Sequence, residues 1–255
     1  MEFALISWQA AVICAAYFTA GVIDAVCGGG GIVTVPTLMA VGLPVHYIAG
    51  TNVVAAAIGN IASFCKYLKS GKIYYKVGIT AAVAALVGGV FGAELNMFVP
   101  ERCLQLVMIV IMPLMALLVL FNRSFGETDR SGEIPDVKLF SLSAIIGSLV
   151  GLYQGFYGPG AGILFVMGFT LFIKIDLVKA SGTAKIAAIC AAASAAVTYA
   201  VSGLVIWEIS IIATACHFTG NCLGASLAIK NGAKVIRPFI LIAVSILFIK
   251  LILDL

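Results

Sequence analysis

The sequence predicts an all-α polytopic membrane protein built from two inverted repeats, each a broken-helix hairpin plus three transmembrane helices. Three observations predict it. Charged residues make up 10% of the 255 and apolar ones 62%, where a soluble domain carries roughly 25% charged residues; the mean hydropathy is +1.16. Two glycine breaks, Gly28-Gly29-Gly30-Gly31 and Gly158-Pro159-Gly160-Ala161-Gly162, interrupt segments that are otherwise apolar. The halves also match at a nearly constant offset, Gly28 and Gly30 meeting Gly158 and Gly160 at 158 − 28 = 130.

Residues 5–26 read as a helix of spanning length that carries one charge, Asp24, and residues 31–43 as a shorter one ending near Gly42-Leu43-Pro44. The N-terminal segment opens on Glu2 rather than a basic region and stays apolar for a full span, so it is expected to remain in the fold and not to be a removable signal. Apolar stretches at 47–65, 77–98 and 103–121 complete the first repeat, 1–121. Residues 122–138 hold Arg123, Glu127, Asp129, Arg130, Glu133, Asp136 and Lys138 and form the linker. From Leu139 to Ile173 there is no charge. One helix of that length would reach about 50 Å at 1.5 Å per residue, against roughly 30 Å of hydrocarbon, so it must bend at the second break. That gives arms at 139–156 and 162–173, followed by stretches at 177–200, 206–228 and 235–253. The second repeat is 139–255, and the whole of 1–255 is expected to form one transmembrane domain.

Beyond the breaks the offset becomes 132, pairing Gly50-Thr51 with Gly182-Thr183, Tyr67 with Tyr199, Gly71 with Gly203, Gly88 with Gly220 and Gly92-Ala93 with Gly224-Ala225. Charge sets the orientation of each half. The loop carrying Lys66, Lys69, Lys72 and Lys76 is expected to be cytoplasmic, while its counterpart from Ser202 to Glu208 has no basic residue. The next pair reverses, since Glu94 to Arg102 is weakly acidic and its counterpart carries Lys230, Lys234 and Arg237. Both termini are therefore expected outside and the linker in the cytoplasm. If each broken pair returns to its own side, three full spans remain per half, the odd number that inversion requires. Inverted repeats with broken helices are the architecture of secondary transporters.

Several classes are excluded. No basic cluster interleaved with aromatics points to nucleic acid. No H-E-x-x-H, G-x-S-x-G or C-x-x-C constellation is present, so no enzymatic activity, cofactor or metal is expected, and the seven cysteines read as small core residues. The partners expected are the lipid bilayer of the inner (plasma) membrane and a small anionic substrate; a homo-oligomer is compatible with the pattern. An anion channel is the main alternative to a secondary transporter, and an intramembrane enzyme the least favoured.

Irregular backbone at membrane depth survives only where it is buried in protein or lines a wet cavity. A helix that starts after such a break also presents unpaired N–H groups and a partial positive charge to an anion. Gly28, Gly29, Gly30, Gly31, Gly158, Pro159, Gly160 and Gly162 are accordingly candidate substrate-binding positions, with close helix packing as the structural alternative. Thr51, Asn52 and Thr183 offer donors to a ligand or, equally, caps to helices. Lys185 opens a long uncharged run and is either an anion partner or a snorkelling residue. Asp24 and Gln154 occupy equivalent positions before the two breaks (154 − 24 = 130). An acid beside an anion site repels the ligand unless it is protonated or paired, which makes Asp24 a candidate proton carrier, with Gln154 its neutral counterpart and His217, mid-span, a second candidate.

The run Gly21-Val22-Ile23-Asp24-Ala25-Val26-Cys27-Gly28-Gly29-Gly30-Gly31 followed by Gly50-Thr51-Asn52 carries a family resemblance, as do Gly151-Leu152-Tyr153-Gln154-Gly155-Phe156-Tyr157-Gly158-Pro159-Gly160 and Gly182-Thr183-Ala184-Lys185. In these stretches the chain resembles the sulfite exporter TauE/SafE family, also called the 4-toluene sulfonate uptake family. The resemblance implies an inner-membrane carrier for sulfur oxyanions, small organosulfonates such as sulfoacetate, or related organic anions. The family often has a lysine after Thr-Asn in the first half; this chain has Val53, which leaves Lys185 and backbone donors to hold an anion.

Overall fold

The computed structural model describes residues 7–100, 126 and 128–242, and the regular structure among them is helical. In chain order the elements are α1 (Ser7–Cys27), α2 (Gly31–Ala40), α3 (Val45–Lys69), α4 (Tyr75–Phe98), a 3₁₀ turn at Ser131–Glu133, α5 (Asp136–Phe156), α6 (Ala161–Phe172), α7 (Leu177–Val201), α8 (Trp207–Asn231) and α9 (233–242). The segment expected at 103–121 and the end of that expected at 235–253 lie outside the described residues, as do Arg123 and Glu127 of the linker. Among the described residues six helices, α1, α3, α4, α5, α7 and α8, are long and apolar enough to cross a membrane. At 10 and 12 residues, α2 and α6 reach about 15–18 Å, roughly half the hydrocarbon thickness.

Helix starts explain where the boundaries fall. Asp176 caps α7 by accepting from the N–H groups of Val178 and Lys179, at 3.0 and 3.1 Å. The helix α5 begins three residues inside the stretch expected as linker. Pro135 precedes it in extended conformation and Asp136 occupies its first turn, where a negative charge complements the exposed N–H groups.

Glycines set which helices lie closest. A Cβ on Gly21 would strike His217 O and Gly220 of α8, and one on Gly224 would strike Val22 O and Ala25 of α1. The register rises together on both chains, so α1 and α8 run parallel at near backbone contact. In the same way Gly147 meets Ala81, Gly151 meets Ala85 and Gly155 meets Gly89 and Ala93, which makes α4 and α5 parallel. Small residues at four-residue spacing permit such approach in a membrane. Gly59 lies on His217 while Thr51 reaches Ile206, so α3 also runs with α8. By contrast Gly50 abuts Leu204 while Gly182 abuts Tyr67 and Lys72, so α3 and α7 are antiparallel. The helices α1, α3 and α8 thus point one way and α4, α5 and α7 the other.

Hydrogen bonds at matching positions brace each half and then join the two. Tyr67 of α3 donates to Ala25 O at 3.0 Å and Tyr199 of α7 donates to Gly155 O at 2.8 Å, each holding the last turn of a helix just before its break. Thr183 accepts from the Tyr74 N–H at the start of α4, and Thr51 accepts from the Ile206 N–H at the start of α8, at 2.9 and 3.1 Å. The outer faces are apolar, with Ile79, Val83, Val87 and Phe91 forming an exposed stripe on α4, a surface suited to lipid rather than water. Trp8 and Trp207, both exposed, sit at the parallel starts of α1 and α8, as expected of aromatic residues at a membrane interface.

Outside the membrane the linker is fastened to the start of α7. Asp129 accepts from Lys179 at 2.7 Å and from Ser131, and Glu133 pairs with Lys174 at 3.1 Å. Burial pushes the Asp129 carboxyl up, but the bonds from Lys179 and Ser131 outweigh it and hold the group below its usual range.

Candidate functional site

The two breaks meet. Gly28, with φ of +83°, and Gly162 touch backbone to backbone, and a Cβ on either would overlap the other. Gly158 matches Gly28 with φ of +93°. This left-handed region strains any residue with a Cβ, so the glycines provide both the turn and the contact. Pro159 packs on Gly31, and its carbonyl accepts from Tyr153 Oη at 2.8 Å.

Beside this crossing lies a cavity of about 40 Å³, walled by the starts of α2 and α6 and by Asp24, Asn52, Val53, Asn60, Gln154 and His217. Room of that size suits about three waters or a small polar solute. Gly28, Gly30, Gly31, Gly158 and Gly162 line it; Gly29, Pro159 and Gly160 are buried in the breaks but do not. Asn52 takes part, its Oδ1 accepting from Tyr17 Oη at 3.1 Å, which leaves the amide N–H groups as donors. Thr51 and Thr183 are absent from the lining, because their hydroxyls are turned to the Ile206 and Tyr74 N–H groups.

Three ionisable side chains and the Asn60 amide form one buried set drawn from four helices. Lys185 of α7 is 3% exposed, so it does not snorkel. Its ammonium donates to Asp24 O at 2.5 Å and to Asn60 Oδ1 at 2.8 Å, and lies 3.7 Å from the Asp24 carboxylate. Lys185 lines a smaller void beyond the crossing, with Ser181, Ala184 and Val166, and not the main cavity. His217 Nε2 lies 3.5 Å from the other carboxylate oxygen. Its Nδ1 is 3.2 Å from Asn221 Nδ2, a donor, and the neutral tautomer with its proton on Nε2 satisfies both neighbours. Lys185, which the sequence offers as an anion partner or a snorkelling residue, is thus buried against Asp24, and it is Asp24 that lines the main cavity.

Gln154, equivalent to Asp24, makes a different contact, its Nε2 donating to the backbone oxygen of Ala188 in α7 at 2.9 Å. Its Oε1 is buried without a partner. Asn60 and Tyr17 were not singled out by the sequence. Asn60 has Ala192 at its repeat position (192 − 60 = 132), and a lone amide in an apolar helix gives no pattern to read. No cluster of three or more metal-ligating side chains occurs among the described residues.

A polytopic helical bundle that encloses a polar, charge-bearing cavity where two broken helices meet has the build of a membrane transporter. The chain belongs to the sulfite exporter TauE/SafE family, whose family model matches residues 13–251. It is 28% identical over 239 residues to the "Probable membrane transporter protein ORF9" of Sinorhizobium sp, covering 94% of this chain and 90% of that one. It is 29% identical over 235 residues to the "Probable membrane transporter protein YfcA" of Escherichia coli K12, covering 92% and 86%. A "Probable membrane transporter protein" of Haemophilus influenzae is 25% identical over 237 residues, covering 93% and 92%. No solved structure matches the chain. The protein is thus a multi-pass membrane protein of a transporter family, which in bacteria places it in the inner membrane.

Proposed function

We propose that the protein is a secondary active transporter of small anions, with sulfur oxyanions and short organosulfonates as its substrate class, and that protons couple to the transport. The observation that carries this reading is the polar cavity at the meeting point of both breaks, where the helix starts at Gly31 and Ala161 supply N–H groups and a buried acid stands beside them. The opposite directions of the matched helices, α1 against α5, α3 against α7 and α4 against α8, support an inverted repeat. Two inverted halves can exchange roles and so open a central site to either side in turn.

The test is flux in proteoliposomes of the full chain. Labelled sulfite or sulfoacetate is expected to accumulate against its own gradient when a pH gradient is imposed, and to leak away when an uncoupler is added. Flux that only dissipates the anion gradient indicates a channel, and conversion of the anion to a new species indicates an enzyme. Labelling of single cysteines placed at positions 70 and 203 is expected from opposite faces of the membrane; labelling from one face ends the inverted-repeat reading.

A further inference from the structure

We propose that anion and proton enter this site as one electroneutral set: Asp24 holds the Lys185 charge in the empty site, a proton on Asp24 releases that charge to the anion, and the number of protons bound follows the charge of the ligand. This rests on the reading of the cavity as an anion site.

The geometry assigns each part. In the empty site the carboxylate of Asp24 and the ammonium of Lys185 balance, with His217 neutral between Asp24 and Asn221. The cavity presents the carboxylate and not the ammonium, so an incoming anion first meets a charge of its own sign. Two like charges at this burial cannot both persist. When a proton from solvent is taken up by an Asp24 oxygen, the set becomes cationic by one, and a buried net charge is costly until a counter-ion arrives. A monoanion completes it. The groups facing Asp24 are Lys185 from α7, His217 from α8 and Asn60 from α3, with the Cys27 thiol and Gly30 N–H from its own break; α2 and α6 contribute no titratable group to the cavity lining.

A dianion needs a second proton, and His217 is placed to take it at Nδ1. The neighbouring Asn221 Oδ1 is buried without a partner, and a rotation of that amide brings an acceptor to the newly protonated nitrogen in exchange for the bond its Nδ2 donates to His217 O. On release both groups return their protons to the side on which the anion leaves, so no oxidant or other reactant is involved.

Methanesulfonate and thiosulfate test the inference, because they stay a monoanion and a dianion between pH 5 and 8. With the full-length protein in weakly buffered detergent solution, binding of the first is expected to take up one proton and of the second two. Above the titration of Asp24 the affinity for methanesulfonate is expected to fall about tenfold per pH unit, and that for thiosulfate more steeply. Asp24→Asn is expected to bind methanesulfonate with no pH dependence, at the affinity wild type reaches in acid, and His217→Gln to lower the proton count for thiosulfate to one. Binding without proton uptake, or one proton for both ligands, overturns the inference but leaves the anion site standing. Failure of wild type to bind either anion at any pH overturns both. The proton counts need no variant, so an unstable Asp24→Asn protein does not weaken the test.

Discussion

Lys185 and Asp24 are joined at two points, the ammonium donating to the aspartate's backbone carbonyl and lying 3.7 Å from its carboxylate. One residue comes from each half of the chain. The pair therefore fixes the end of α1 against α7 as well as balancing charge. Lys185→Met removes the cation and leaves a buried carboxylate unpaired, which costs roughly 3–5 kcal/mol. The variant is expected to unfold at clearly lower temperature in detergent at neutral pH and to bind anions only in acid. The double variant Lys185→Met/Asp24→Asn should recover most of the lost stability and bind anions at every pH only as weakly as the single variant does in acid. Equal stability of the single and double variants would mean that the pair contributes no coupling.

The contact between Gly28 and Gly162 makes a second expectation specific. Gly28→Ala meets both a left-handed backbone and the Gly162 chain, whereas Gly71→Ala meets only the backbone term, since nothing lies within 4 Å of its added Cβ. A left-handed non-glycine residue costs about 1–2 kcal/mol. Gly71→Ala is expected to lose about that much and to keep transport. Gly28→Ala should lose more and should impair transport, because the added Cβ keeps the two breaks from meeting beside the cavity. Thermal unfolding and flux, measured on both variants, separate strain from overlap.

Much of this is legible in the sequence. The breaks, the ten apolar segments and the offsets of 130 and 132 are properties of the chain, and helices observed at 7–27, 31–40, 136–156 and 161–172 fall where the glycines and hydropathy put them. What the sequence hides is pairing between halves. Lys185 lies eight residues into α7 (185 − 177 = 8), about 12 Å from its start, a depth at which an isolated lysine is costly. Only the arrival of Asp24 from the other half makes that depth acceptable. Asn60 leaves no signal in the sequence for the same reason, as its partner lies 125 residues away.

The threonines illustrate that point and give a third prediction. Thr51 and Thr183 sit inside α3 and α7, yet each caps the start of a helix in the opposite half, α8 and α4. Thr51→Val and Thr183→Val remove one acceptor each and keep the shape. Both should cost about 1–3 kcal/mol, since each leaves an N–H without its acceptor, and neither should change anion affinity in a binding assay on the folded protein. A selective loss of affinity in either variant would return its hydroxyl to the ligand.

Gln154 carries the final prediction. Its Nε2 is committed to Ala188 O, which fixes the amide and leaves Oε1 in the cavity region as a buried acceptor without a protein partner. Unpaired buried acceptors are uncommon and are usually met by water or by a ligand. An anion cannot satisfy a carbonyl oxygen with its charged end, but it can with a hydroxyl elsewhere in the molecule. Isethionate and ethanesulfonate differ by that hydroxyl alone. A net hydrogen bond of about 0.5–1.5 kcal/mol corresponds to roughly twofold to tenfold in affinity, so isethionate is expected to bind tighter by that factor. Gln154→Met keeps the bulk and removes the acceptor, and the two sulfonates should then bind alike. If wild type does not distinguish them, Oε1 is served by water and the ligand's tail lies elsewhere in the cavity.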